Sequence, residues 1–222
     1  GIYTLKRLHR YFHNDPRIQL SLVAEKNYFL FTPLLHEVAT GSVSPENIIE
    51  PIRSMFECCL HDLHVGKAEL VNSKERTVKV GDTFVPYDYL VLATGAETNY
   101  FNIPGASEHS FSLKSLEDAI NIKNHVIAQM EKASHVTNLE ARKNMLRFVV
   151  VGGGPTGVEF VAELQELITE TFSRYYPEEV IKDASVVLIQ KAPELMMQLG
   201  EKLRKKSLAL LQKRGVEIML GA

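Results

Sequence analysis

Cysteine is nearly absent from this sequence of 222 residues, and the two that occur, Cys58 and Cys59, are adjacent. Neighbouring cysteines cannot staple a fold by ordinary disulfides, so a disulfide framework is excluded and a reducing compartment is the default expectation. No CxxC or similarly spaced pair occurs, which removes dithiol redox chemistry. An excess of either charge is missing as well. The formal net charge is −2, so no basic surplus points to nucleic acid and no acidic block to a solvating tail. No apolar run approaches the roughly 20 residues of a membrane-spanning helix. Short tandem repeats are absent too. What remains is 45% hydrophobic, the composition of an ordinary α/β protein with one large domain or two smaller ones.

The clearest local pattern is "FVVVGGGPTGVEFVAEL", residues 148–164. It reads as an apolar strand, a glycine turn and a helix. Gly152, Gly154 and Gly157 stand at fingerprint spacing. The first permits a tight turn, the second lets the backbone approach a pyrophosphate, and the third lets the helix pack close to the sheet. The helix start offers free N–H groups and partial positive charge to phosphates. Its apolar face would hold Val158, Val161, Leu164 and Ile168. "SVVLIQ" (185–190) follows as a second strand, "EKLRKKSLALLQKRG" (201–215) as an amphipathic helix ending at Gly215, and "VEIML" as a third strand. A glycine turn with only a packing role is the plainer alternative, but this strand, helix and strand context argues for a dinucleotide site.

The second strand ends in Gln190, where a dinucleotide-binding unit usually carries an acid for the ribose hydroxyls. Glutamine does not repel a 2′-phosphate, and Lys191 is adjacent, so NADPH is expected to be accepted alongside NADH. Glu159 is read in the first turn of the glycine helix. There an acid suits the helix dipole, yet it lies beside a turn that would bind phosphate.

Before the glycine turn the sequence is less regular. Leu5, Leu8 and Phe12 mark a helix over 3–13, and "IQLSLVAE" (18–25) a buried strand. Pro33 and Gly41 make 28–41 a packed loop, and Ser44-Pro45 open a short helix. Short strands follow at "HVGKAELVN", "RTVKVG", "TFVPYD" and "YLVLATG", with a hairpin turn at Gly81-Asp82. Ser115 with Asp118 signals the start of a long helix. The polar stretch 134–144 reads as a partly helical connection. Helix then strand at the start, and a lone strand at the end, predict a piece of a longer protein, cut at both ends. Cys58, Cys59, His61 and His64 crowd into one stretch without a second ligand cluster, so no metal site is expected.

Four stretches together, "NYFLFTPLLHEVATG", "YDYLVLATGAET", "IPGA" and "VVVGGGPTGVEFVAEL", occur here in an order that resembles the type II NADH dehydrogenases, the single-subunit NADH:quinone oxidoreductases. The resemblance runs over essentially the whole sequence. It implies an α/β fold of two Rossmann-like dinucleotide-binding domains, for FAD then NADH, with a strand-rich insertion. Residues 1–112 would bind FAD and 113–222 NAD(P)H. It implies hydride transfer from NADH to flavin and electron transfer to a membrane quinone, without proton pumping. The enzyme would lie peripherally on the cytoplasmic face of a membrane, or the equivalent organellar inner membrane, through a segment beyond Ala222. Whether it forms a homodimer stays open.

Residue by residue, the resemblance puts Gly1 at the FAD pyrophosphate turn, Ala24 and Glu25 near the FAD adenosine, and Ala68 at the adenine through its backbone. Pro33 and Leu34 would lie near the flavin, and Ala93, Thr94 and Gly95 would border the FAD. Gly152, Gly154, Pro155, Thr156 and Gly157 would hold NADH. Glu159 would match the acid between nicotinamide and isoalloxazine. Two positions depart from the family: Ala24 and Gln190 replace acids usual at the two riboses. A sulfide:quinone oxidoreductase would need separated cysteines, which the adjacent pair does not supply. A nucleotide-binding sensor without turnover is the alternative from another class.

Overall fold

The computed structural model describes residues 1–56 and 62–222. Cys58, Cys59 and His61 lie outside the described residues. The described residues form two compact units. The first comprises Gly1–Phe31 and Ile48–Asn99, the second Thr32–Asn47 and Tyr100–Ala222.

In the first unit, helix α1 (Ile2–Phe12) precedes strand β1 (Ser21–Ala24). Leu5 is buried against Ile52 and Phe56, and Leu20, Leu22, Ala24 and Leu63 pack on the same cluster. Strands β2 (Tyr28–Leu30) and β3 (Ile49–Pro51) pair antiparallel. β1 pairs in parallel with β4 (Asp62–Val65). β1 is shorter than the sequence pattern and only half-buried, because β4 is its one neighbour among the described residues.

Strands β5 (Ala68–Asn72), β6 (Thr77–Val80) and β7 (Thr83–Pro86) form an antiparallel meander around Val78, Val80 and Val85. Val80 pairs with Thr83, so Gly81 and Asp82 make a two-residue turn. Gly81 has φ +56° and Asp82 does not share the left-handed region. That is the pattern of a type II′ turn, which wants glycine first and so explains the Gly-Asp order. The strand expected at "YLVLATG" does not form. Residues 90–100 have no regular structure, and Val91 and Leu92 are exposed. An apolar parallel strand needs hydrogen-bonded neighbours, and none pairs with it among the described residues.

The second unit opens with a helix where the sequence suggested a loop. Pro33 sits in a 3₁₀ turn, Thr32–Leu34, that leads into α2 (Leu35–Thr40). Gly41, φ +83°, ends it. The two residues read as breakers are thus the helix's boundaries. Five of its six residues, Leu35, His36, Val38, Ala39 and Thr40, are buried. The helix expected after Ser44 is a single 3₁₀ turn, Pro45–Ile48, because Ile49 turns at once into β3.

Helix α3 (Leu116–Ala133) begins with a capping box. Ser115 Oγ accepts from the Asp118 N–H at 3.0 Å, and Asp118 Oδ2 accepts from the Ser115 N–H at 2.9 Å. α4 (Leu139–Met145) occupies the polar connection. β8 (Arg147–Val151) leads through the glycine turn to α5 (Pro155–Glu166). Val158, Val161 and Leu164 of α5 are buried, the stripe that 3.6-residue periodicity requires, and Ile168 is buried in the π-helical turn Leu167–Thr171 that follows. α6 (Glu178–Asp183), β9 (Ser185–Gln190), α7 (Glu201–Lys213) and β10 (Glu217–Leu220) complete the unit. Its sheet has the order β10-β9-β8, all parallel, with α5 against β8 and β9. α2 packs on both α3 and α5. Among the described residues, no helix is long and apolar enough to cross a membrane.

Candidate functional site

The glycine turn is built by close approach. Gly152 has φ +110°, and its N–H donates to the Ile189 carbonyl at 2.8 Å. A Cβ on Gly157 would stand 1.9 Å from the Gly152 carbonyl oxygen. Only glycine lets α5 begin so close to the turn. A Cβ on Gly154 would meet nothing within 4 Å. That open space, in front of the first N–H groups of a twelve-residue helix, fits a pyrophosphate.

Gly153, which is not one of the fingerprint glycines, is hemmed in by side chains and not by backbone. It is buried, and a Cβ there would come within 2.5 Å of Leu195 Cδ2 and 3.1 Å of Gln190 Cβ. The Gly153 N–H donates to Gln190 Oε1 at 2.9 Å, and its carbonyl accepts from the Met196 N–H at 2.8 Å. Gln190 therefore clamps the turn, a role the sequence did not suggest. Its amide NH₂ and the second lone pair of Oε1 are left for a ribose.

Glu159 lies in the second turn of α5, not the first; no acid occupies the first turn. Counted from Pro155, Glu159 is the fifth helical residue. The helix dipole is correspondingly a weaker reason for the carboxylate. Glu159, half-exposed, lines a cavity of about 400 Å³ with Thr32, Pro33, His36, Lys114, Pro155 and Thr156. The fold thus joins Pro33, expected near a flavin, to three residues expected at NADH. Leu34 lies beside them in the same 3₁₀ turn.

His36 stands on α2, inside the stretch 28–41 that Pro33 and Gly41 mark as a loop in the sequence. It is buried, with Nε2 3.3 Å from Glu163 Oε1 and Nδ1 3.9 Å from Glu159 Oε2. Glu159 and Glu163 share a face of α5 because they are four residues apart. Thr40 Oγ1 donates to Glu163 Oε2 at 2.9 Å. Burial pushes the Glu163 carboxyl above the ordinary carboxylate range, against the opposing pull of Thr40 and His36. His36, Glu37 and Glu163 bring ligand-type atoms within 4.8 Å of one another. The spacing of Glu163 from Glu159 was the available sequence signal.

In the first unit, Gly1 is the N-cap of α1 and stands against Ala93; a Cβ on Gly1 would be 3.3 Å from Ala93 Cβ. Thr94 and Gly95 continue that exposed segment, with Gly95 at φ +77° and open space before it. This close backbone approach at a helix start fits a second dinucleotide. Ala24 ends β1, packs on the cluster around Leu5, and accepts from the Gly66 N–H at 2.9 Å. Glu25 is exposed beside it, and Ala68 begins β5, also exposed. His64 is engaged with Asp62, Nε2 to Oδ1 2.8 Å.

The family model described as "Pyridine nucleotide-disulphide oxidoreductase" matches residues 1–222. The chain belongs to the pyridine nucleotide-disulphide oxidoreductase family. Among its relatives is the external alternative NAD(P)H-ubiquinone oxidoreductase B4, mitochondrial, of Arabidopsis thaliana, 36% identical over 222 residues. The match covers 94% of this chain and 38% of that protein. The external NADH-ubiquinone oxidoreductase 2, mitochondrial, of Saccharomyces cerevisiae is 37% identical, with 88% of this chain and 37% of that protein covered. The structure of NDH2 from Plasmodium falciparum in complex with NADH superposes with a TM-score of 0.85 at 27% identity. It covers 90% of this chain and 42% of that one. The resemblance to type II NADH dehydrogenases is borne out, and so is the α/β fold of this oxidoreductase family. The chain spans less than half the length of these relatives.

Proposed function

We propose that this chain is the nucleotide-binding part of an FAD-dependent NADH:quinone oxidoreductase. The observation that carries the reading is the cavity where Pro33 meets Pro155, Thr156 and Glu159. Bound there, a nicotinamide and a flavin would supply hydride transfer between their rings. The protein's part is to bind, orient and exclude water. Residues 113–222 serve NADH: Gly152, Gly154, Pro155, Thr156 and Gly157 receive the pyrophosphate, and Gln190 faces the ribose. Residues 1–112 serve FAD: Gly1 stands at its pyrophosphate, Ala93, Thr94 and Gly95 border the cofactor, and Ala24, Glu25 and Ala68 lie at its adenosine. Pro33 and Leu34 lie by the flavin ring, and Glu159 orients the nicotinamide side. The electron acceptor is a membrane quinone, and the enzyme works at the face of an inner membrane.

Glu159→Gln is expected to slow flavin reduction by NADH about tenfold or more, roughly 1.4 kcal/mol of barrier. Anaerobic stopped-flow absorbance of the flavin-loaded protein measures it, and an unchanged rate removes the role given to Glu159. The same protein separates an enzyme from a sensor. Flavin colour bleached by NADH and restored by a quinone marks the enzyme; colour that NADH leaves intact marks a binding module.

Gln190→Glu is expected to favour NADH over NADPH by about tenfold in the ratio of kcat/KM values. A carboxylate keeps the acceptor for the Gly153 N–H but repels a 2′-phosphate. Equal ratios in wild type and variant would place the 2′-phosphate elsewhere.

A further inference from the structure

We propose that His36 is a positioning residue for the nicotinamide dinucleotide, whose imidazolium neutralises Glu159 and fixes it at the cavity wall. This rests on the reading of that cavity as an NADH site.

Glu159 poses an electrostatic problem. A half-exposed carboxylate beside the start of α5 repels the pyrophosphate that the same helix start attracts. His36 is the group placed to solve it. It is buried on α2, and each of its ring nitrogens faces a carboxylate oxygen of α5. Nε2 stands 3.3 Å from Glu163, while Nδ1, at 3.9 Å, meets Glu159 at ion-pair and not hydrogen-bond distance. A ring carrying two protons attracts both carboxylates, whereas a neutral ring has a single N–H to offer. Thr40 keeps the arrangement in register by donating to Oε2 of Glu163. That leaves the other oxygen for His36.

The surrounding charges sharpen the need. Glu37 adds a third carboxylate from α2 itself. Glu166 of α5 adds to the negative field at Glu163. Against these stand Lys114, on the cavity wall ahead of α3, and Lys123 of α3, which reaches the end of α2 at Gly41. Of these acids only Glu159 lines the cavity, so the His36 proton reaches an incoming anion through Glu159. Histidine is the side chain whose charge changes near neutral pH. Dinucleotide binding is therefore strongest where His36 is protonated and weakens as pH rises.

The test uses NAD⁺, which carries the same pyrophosphate but cannot reduce a flavin, so the readout is binding and not turnover. Its Kd is measured by calorimetry on the flavin-loaded protein from about pH 5.5 to about pH 8.5. The wild-type Kd is expected to rise about fivefold across that range, the scale of one partly exposed ion pair. His36→Gln should show a flat profile at the wild-type high-pH value. Because His36 is buried and its replacement could unfold α2, Glu159→Gln provides a second route. It removes the charge that needs neutralising, so its profile should be flat and tight, and adding His36→Gln to it should change little. Parallel pH slopes in wild type and His36→Gln, or fully additive effects of the two substitutions, overturn the proposal while leaving the nucleotide site standing. Failure of the wild type to bind NAD⁺ overturns the nucleotide reading and this proposal with it.

Discussion

Gly157→Ala is expected to raise the Kd for NADH about a hundredfold and to lower the thermal midpoint. The added methyl would stand 1.9 Å from the Gly152 carbonyl oxygen and 3.1 Å from its carbon. Both are backbone atoms, so no side chain can rotate away. Either α5 slides off the turn or the turn opens, and a shift of about 1 Å at a binding constellation costs on the order of 100-fold. Overpacking adds a stability loss of about 1–3 kcal/mol. Gly154→Ala is the informative comparison. Its methyl meets nothing within 4 Å, so stability should hold while the methyl intrudes on the space kept for the ligand. Calorimetry and thermal melts of the two variants check the pair. A Gly157→Ala protein with wild-type Kd and melting point would refute the close-approach argument.

The largest expected loss of stability lies away from the cavity. Arg142 of α4 donates through Nε to Asp183 Oδ2 at 2.6 Å, and through Nη1 to the Val136 carbonyl at 3.2 Å. The side chains are only 15% and 9% exposed. Asp183→Ala strips the partner from a guanidinium that cannot deprotonate. Breaking a buried pair in this way costs about 3–5 kcal/mol. At about 2–4 °C per kcal/mol for a chain of this size, the melting point should fall by roughly 10 °C. Replacing both partners, Arg142→Met with Asp183→Leu, should cost much less, because no buried charge is left unpaired. Thermal denaturation followed by circular dichroism decides it. Similar melting points for the single and double variants would show that packing, not charge, holds α4 to α6.

The parts of the fold legible in the sequence are those with local causes. The stripe Val158, Val161 and Leu164 announces α5, and Ser115 with Asp118 announces the start of α3. Gly81-Asp82 announces a two-residue turn because only the backbone of those residues is involved. The misreadings share a cause of another kind. "YLVLATG" has every strand preference, yet a strand exists only where another backbone offers hydrogen bonds. Residues 35–40 are helical despite flanking Pro33 and Gly41, because α3 and α5 bury them. The glycine fingerprint is visible; the crowding at Gly153 is not, since it comes from the side chains of Leu195 and Gln190, far along the chain.

By itself, then, the sequence determined the strand, helix and strand around the glycine turn, the start of α3 and the family to which the chain belongs. Periodicity, capping and turn chemistry act over a few residues and can be read along a line. Tertiary structure alone decided that Pro33 shares a cavity with Glu159, that Gln190 clamps Gly153, and that His36 stands between two carboxylates of α5. The Thr40–Glu163 hydrogen bond that steadies this cluster spans 123 residues. Contacts at such separation follow from which faces are buried together, and no local propensity encodes them.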